Sequence, residues 1–180
     1  MKNSVTKEIL SRILVVLDDI TKLDVDCVVN AANTTLLGGG GVDGAIHRAA
    51  GKELKEYCKT LGGCRVGEAK ITPGFALKAK YIIHTVGPVW SGGHRNENNL
   101  LQACYQNSLM LACKHQINTI AFPAISTGAY RFPFKEASKI AIKTTLNFLK
   151  DHSLPQKVYF VLFQDKHYEV FVNLLASIKE

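Results

Sequence analysis

The chain has no apolar run approaching the roughly 20 residues that a helix needs to cross a bilayer. A secretory leader is not expected either. Glu8 interrupts the basic start at Lys2 and Lys7, and Arg12 and Asp18 break the apolar run that follows. No membrane partner is therefore anticipated, and a cytoplasmic location is the expectation. Close cysteine pairs are missing too. Cys27, Cys58, Cys64, Cys104 and Cys113 offer neither a disulfide framework nor the short paired spacing of a structural zinc site. Free, mostly buried thiols are expected, and no metal site. Also absent are a Lys/Arg block, an internal repeat, a low-complexity tract and a clear linker.

What is present suits one globular domain spanning residues 1–180. The chain is 47% hydrophobic and 21% charged, and long enough to bury a substantial core. Its net charge of +7, from 22 Lys and Arg against 15 Asp and Glu, is scattered along the sequence. Such a field favours anionic partners, and it serves a solubility surface equally well.

Short runs mark strands at Ile13–Leu17, Val25–Val29, Ala69–Thr72, Tyr81–Val86, Thr119–Pro123 and Val158–Phe163, with Val25–Val29 apolar on both parities as a strand covered on both faces requires. Thr72-Pro73-Gly74 reads as a turn. Helical spacing covers the segment from Ala45 to Cys58, which Gly51 divides in two, and the segments Asn99–His115 and Phe134–Asp151. Pro133 starts the last of these. A closing helix carries Phe171, Leu174, Leu175 and Ile178 on one side. Strands alternating with helices predict a mixed or largely parallel sheet covered on both faces. Trp90–Asn98 reads as a mobile surface loop with little to bury.

Two loops carry more chemistry than connection requires. Asn30-Ala31-Ala32-Asn33 leads to Gly38-Gly39-Gly40-Gly41-Val42-Asp43-Gly44. Small residues let backbone amides approach a ligand, and amides leading into a helix cradle an anion. A merely floppy loop would spend folding entropy without return. The run satisfies G-x-G-x-x-G almost automatically, lies well beyond the preceding strand, and lacks a ribose-binding acid at the usual distance. Gly44 is followed by Ala45 and Ile46, so no phosphate-binding Gly-Lys-Ser/Thr ending exists. The second loop runs from Pro123 to Pro133 after a short strand, where open α/β sheets bind ligands. Ser126 is not in a G-x-S-x-G elbow, so Ser126, Thr127 and Gly128 read as donors to a diphosphate. Tyr130 or Phe132 could pack over a ribose, or anchor the loop in the core.

These strings, in this order, resemble the macrodomain family and its MacroD-type branch. The likeness runs from about Asp19 to about Phe171. It includes Asp19-Ile20-Thr21, Val28 to Asn33, Gly38 to His47, Gly67-Glu68-Ala69, Tyr81 to Pro88 and Phe122 to Gly128. The resemblance implies a three-layer α/β/α fold with a mixed central sheet that binds ADP-ribose. It further implies removal of mono-ADP-ribose from acidic protein side chains and deacetylation of O-acetyl-ADP-ribose, with no cofactor beyond that ligand. Carried onto this chain, Asp19 accepts from the adenine amine with Ile20 beside the ring, and Phe163 packs against adenosine. Asn33 holds the distal ribose, and Asp43 orients the attacking water. Gly40, Gly41, Val42 and Ser126, Thr127, Gly128 and Ala129 surround the diphosphate with backbone donors, and Tyr130 flanks the sugar.

His47, four residues after Asp43, can share its helical face, either to tune the acid or to pack. His84 reads as a structural residue of its strand. The chain departs from the family at Asp18, Ala129 and Arg131, where a Gly, a bulky aliphatic residue and a Gly are usual. Two other functions stay open on sequence: a non-catalytic ADP-ribose reader, and a module for RNA or poly(ADP-ribose) drawn by the +7 charge.

Overall fold

Strands that are apolar on both parities need cover on both faces, and the fold supplies it. The computed structural model describes residues 2–179, and the side chains of 6–178. Met1 and Glu180, the ends of the expected domain span, lie outside the described residues. The strands are β1 (Ile13–Leu17), β2 (Cys27–Ala32), β3 (Ala69–Pro73), β4 (Tyr81–Val86), β5 (Thr119–Phe122) and β6 (Lys157–Leu162). They form one six-stranded sheet in the order β1-β6-β5-β2-β4-β3. Neighbours run parallel except β3, which pairs antiparallel with β4 at the edge.

The helices are α1 (Lys2–Ser11), α2 (Gly41–Ala50), α3 (Lys52–Lys59), α4 (Glu97–Lys114), α5 (Phe134–Asp151) and α6 (Asp165–Lys179). On one face of the sheet Val29, Phe122 and Phe160 pack with Tyr105 of α4, Ala141 of α5 and Phe171 of α6. On the other, Val28, Ile82 and Val161 pack with Ile46 of α2 and Leu54 of α3. The result is the three-layer α/β/α arrangement with a mixed sheet that the sequence predicts. Alternation along each strand sends every second side chain to the same layer. Burying a Phe122 or Ile82 side chain contributes roughly 1.5–3 kcal/mol relative to exposure.

Several boundaries differ from expectation. α1 was not anticipated, because its short apolar signal is carried by little more than Ile9 and Leu10, both buried on the α4/α5/α6 side. β2 runs on through Asn30, Ala31 and Ala32, which the sequence assigns to a loop. Hydrogen bonding to β4 continues to the Ala32–Val86 register, so a central strand extends past the point where its side chains cease to be strongly apolar. Phe163 falls just outside β6. Gly51 does separate α2 from α3, with φ +92°.

The Trp90–Asn98 segment is the clearest correction. Glu97 is only 1% exposed and its carboxylate lies under the loop. Its Oε2 accepts from the amides of Ser91 (2.9 Å) and Gly93 (2.8 Å), and its Oε1 from the amide of Arg95. Burial alone would raise this carboxyl, but the backbone donors outweigh it and hold the pKa down at about 2. A folded pKa below the unfolded one contributes stability that is present above the ordinary Glu value and lost as pH falls through the folded value. Glu97→Gln should therefore speed amide hydrogen exchange at Ser91, Gly93 and Arg95 by at least about tenfold, since charged acceptors bind such donors roughly twice as strongly as neutral ones. Unchanged exchange would show that the loop is held by something else.

Candidate functional site

The carboxyl ends of β1, β2, β4, β5 and β6 all point to one edge of the sheet, the place where open α/β sheets form ligand crevices. Two adjoining cavities of about 310 and 570 Å³ lie there and share Gly41, Val42, Ala124 and Gly128. Together they make one elongated cleft. Asn33, Asp43, Ser126 and Tyr130 line its first part. Asp19, Ile20, Thr127 and Phe163 line its second.

The middle of the cleft is made of amides. Gly40 caps α2 without a side-chain hydrogen bond, and the first intrahelical bond runs from Gly44 N to Gly40 O at 3.1 Å. The amides of Gly41, Val42 and Asp43 precede it and are the orphan donors of a helix N-terminus, with the positive end of the helix dipole behind them. Opposite them stands the loop after β5. Thr127 N is spent internally on Ala124 O at 3.3 Å, which departs from the expected donor role. The amides of Ser126, Gly128 and Ala129 donate to no acceptor among the described residues. Ser126 adopts φ +66°, and its buried Oγ has no hydrogen-bond partner.

Two glycines allow close backbone packing around the cleft. A Cβ on Gly44 would collide with the Gly39 carbonyl, against which α2 is packed. A Cβ on Gly87, just past β4, would collide with Ser126 Oγ. The first sets how closely the glycine-rich loop folds back on α2, and the second how closely the turn after β4 approaches the Ser126 loop.

Asp43 stands at one end of the cleft, only 5% exposed. Asn30 Nδ2 donates to its Oδ1 at 2.8 Å, and His47 Nε2 lies 3.4 Å from the same oxygen. The His47 contact is too poorly aligned for a hydrogen bond, so that nitrogen has no partner of its own. Burial raises the Asp43 carboxyl above the ordinary range, while Asn30 and His47 pull it back. Burial also lowers His47, against the opposing pull of Asp43. Asn33 sits beside this end. Its Nδ2 donates to Gly38 O at 3.0 Å, and its Oδ1 accepts from Thr35 N (3.1 Å) and Thr35 Oγ1 (2.6 Å), so both ends of the amide are oriented.

The far end is acidic and aromatic. Asp19 Oδ1 accepts from Thr21 Oγ1 (2.7 Å) and Thr21 N (2.9 Å), and these bonds hold its carboxyl below the usual range. Ile20 is buried beneath it. Phe163 is 83% exposed, an apolar ring facing open cleft rather than core. Phe132 does the opposite: it is buried with its ring 4.7 Å from Trp90, and so anchors the loop. Tyr130 is the half-buried member at the cleft. Arg131 is exposed and lines neither cavity. Among the described residues no group of three or more His, Cys, Asp or Glu side chains is placed to hold a metal.

The structure thus brings the expected residues to one cleft, with Asp19, Ile20 and Phe163 separated from Asn33 and Asp43 by the amide-lined middle. Gly87, Gln164 and His167 also line it and were not singled out in the sequence. Asn30 was read as loop, yet it is fully buried and holds Asp43. Its only sequence signal is an amide inside an otherwise apolar strand.

Fold and cleft define an α/β protein with an amide-lined crevice at its strand ends. Residues 29–141 match the family described as Macro domain, and the chain belongs to that family. It is 60% identical over 169 residues to a Macro domain-containing protein of Methanosarcina mazei, covering 94% of this chain and 90% of the relative. It is 50% identical over 171 residues to a protein of Salmonella newport named O-acetyl-ADP-ribose deacetylase, covering 93% and 96%. A Trypanosoma brucei macrodomain solved in complex with ADP-ribose superposes with a TM-score of 0.88 at 41% identity, covering 93% of this chain and 71% of that one.

Arg131 carries a local cost. Its φ of +59° is the left-handed region, which disfavours a residue with a Cβ by roughly 1–2 kcal/mol. Glycine at this position relieves that strain but adds entropy to the unfolded chain. Arg131→Gly should therefore raise unfolding free energy by about 0.5–1 kcal/mol in a denaturant titration. A loss of stability would mean that the Arg131 side chain contributes more than its backbone costs.

Proposed function

We propose that this protein binds ADP-ribose along the cleft and hydrolyses O-acetyl-ADP-ribose and mono-ADP-ribose esters of acidic protein side chains. The single observation that carries this reading is the buried, hydrogen-bonded Asp43 beside Asn33, one step from two facing sets of unpaired amides. A diphosphate suits those amides, because a helix N-terminus and a second loop then share its charge. Adenine suits the other end, with a ring to stack on Phe163 and the second oxygen of Asp19 left for its amine. The distal ribose then falls at Asn33 and Asp43.

The chemistry follows from that placement. Hydrolysis joins a water oxygen to the electrophilic carbon, breaks the bond to the departing oxygen, and returns a proton to that oxygen. An ordinary aspartate is a weak base near neutral pH. Burial strengthens Asp43 as a proton acceptor, while Asn30 keeps the ionised form satisfied. Asp43 orients the water and takes its hydrogen bond, the ligand phosphate helps to position it, and Asn33 fixes the sugar. Alignment of this kind supplies most of what ester cleavage needs.

Because folded Asp43 holds its proton more tightly than the unfolded residue, ionising it costs stability as pH rises. Asp43→Asn removes that cost and can still accept from Asn30. The variant should melt no lower than wild type and bind ADP-ribose within about threefold by calorimetry, yet lose roughly 10²–10⁴-fold in turnover. The assay offers O-acetyl-ADP-ribose and a glutamate-linked mono-ADP-ribosylated protein to both proteins. Tight ADP-ribose binding with both substrates untouched by wild type would make the protein a reader instead.

A further inference from the structure

Asp43 is held by Asn30, but an amide has two ends, and only one of them can serve a carboxylate. What keeps the right end forward lies deeper in the sheet. Asn30 and His84 are register partners on the parallel strands β2 and β4. They point to the same face as Thr72 on β3, and all three are buried. Asn30 Nδ2 lies 3.1 Å from His84 Nδ1, and His84 Nε2 lies 3.0 Å from Thr72 Oγ1. Thr72 Oγ1 in turn donates to Pro73 O at 3.1 Å.

We propose that His84, backed by Thr72, is a positioning residue that fixes the amide orientation of Asn30 and thereby keeps an N–H aimed at Asp43. Donor counting sets the orientation of each group. Thr72 gives its only hydrogen to Pro73 O, so its oxygen accepts from His84 Nε2–H. A neutral imidazole protonated at Nε2 must accept at Nδ1. Asn30 therefore turns its amino group toward His84 and, with its second hydrogen, toward Asp43 Oδ1. The reversed amide would set its one oxygen against both the carboxylate and the imidazole lone pair. Asn30 Oδ1 has no partner, so Asn30 takes the orientation that serves the carboxylate at the expense of its own oxygen. Burial, followed by the nearby His47, lowers the His84 pKa to about 3, which keeps the ring neutral throughout the physiological range.

The consequence for hydrolysis rests on the functional reading above, but the orientation itself can be read without substrate. The titratable groups facing Asp43 are His47 on its own helix, Cys58 from α3 and, through Asn30, His84. Carbon-detected NMR titration of the Asp43 carboxyl is the test, in wild type, His84→Leu and His84→Asn. Leucine removes the acceptor at the Nδ1 position, whereas asparagine returns an oxygen to it. His84→Leu should shift the Asp43 midpoint upward, because a lost donor favours the protonated acid, and His84→Asn should restore it. Turnover in His84→Leu should fall roughly 10²-fold with ADP-ribose affinity changed by less than about threefold, and His84→Asn should recover most of the rate. In wild type, nitrogen NMR should find the His84 proton on Nε2.

A proton on Nδ1 would overturn the proposal, as would identical Asp43 titrations in all three proteins. If His84→Leu does not fold, a wild-type proton on Nδ1, or an Asp43 midpoint in His84→Asn that departs from wild type, decides against it in the same way. A wild type that turns over neither substrate would sink the hydrolase reading alone, since the carboxyl titration and the tautomer are measured without substrate.

Discussion

A carboxylate kept out of water must be satisfied by something else, and the hydrogen bond from Asn30 to Asp43 is where this protein meets that constraint. Asp43 stands in the first turn of α2, where Gly44 carries no Cβ to collide with the Gly39 carbonyl. Asn30 stands on the central strand, where a loop residue would lack the rigidity to hold an acid in place. Losing that donor would leave a buried charge unpaired, a larger penalty than the loss of an ordinary contact. Helix start, strand length and glycine approach therefore fit one another around a single contact.

The cleft divides its work by chemistry. Its middle is polar through backbone groups alone: two facing sets of amides, one from α2 and one from the loop after β5. Backbone donors cost no side-chain entropy and cannot swing away, which suits an anion that must be held in one register. The ends rely on side chains, with Phe163 and Asp19 at one and Asn33 and Asp43 at the other. On the proposed reading, holding both ends of a long ligand would leave its reacting bond little freedom to wander, a restriction that is itself a source of rate.

Much of this was legible in the sequence, and for physical reasons. Apolar runs on both parities identified strands covered on both faces, and the glycine run before a helical pattern marked an amide cradle. The α/β/α fold followed from the alternation of elements. What stayed hidden depended on register and on long-range packing. Nothing local shows that Asn30, His84 and Thr72, from three strands, meet on one face, because strand pairing is not written within any one strand. Glu97 looked like part of a mobile polar loop until the fold turned three amides toward it. α1 is hard to read because its apolar signal is short, resting mainly on Ile9 and Leu10. Arg131 shows the reverse: the sequence marked it as unusual, and the backbone conformation there is one that glycine adopts more easily.

The central claim is that a buried Asp43, ionised but with a raised pKa, orients the attacking water. Single-turnover hydrolysis of O-acetyl-ADP-ribose, followed from about pH 3 to about pH 8, tests it most directly. The rate should fall on the acid side with a midpoint above the ordinary aspartate value of about 3.9, because the proton that stops the reaction binds a carboxyl that burial has made more basic. A rate that stays flat through this range, or that falls only below the ordinary value, would contradict the account.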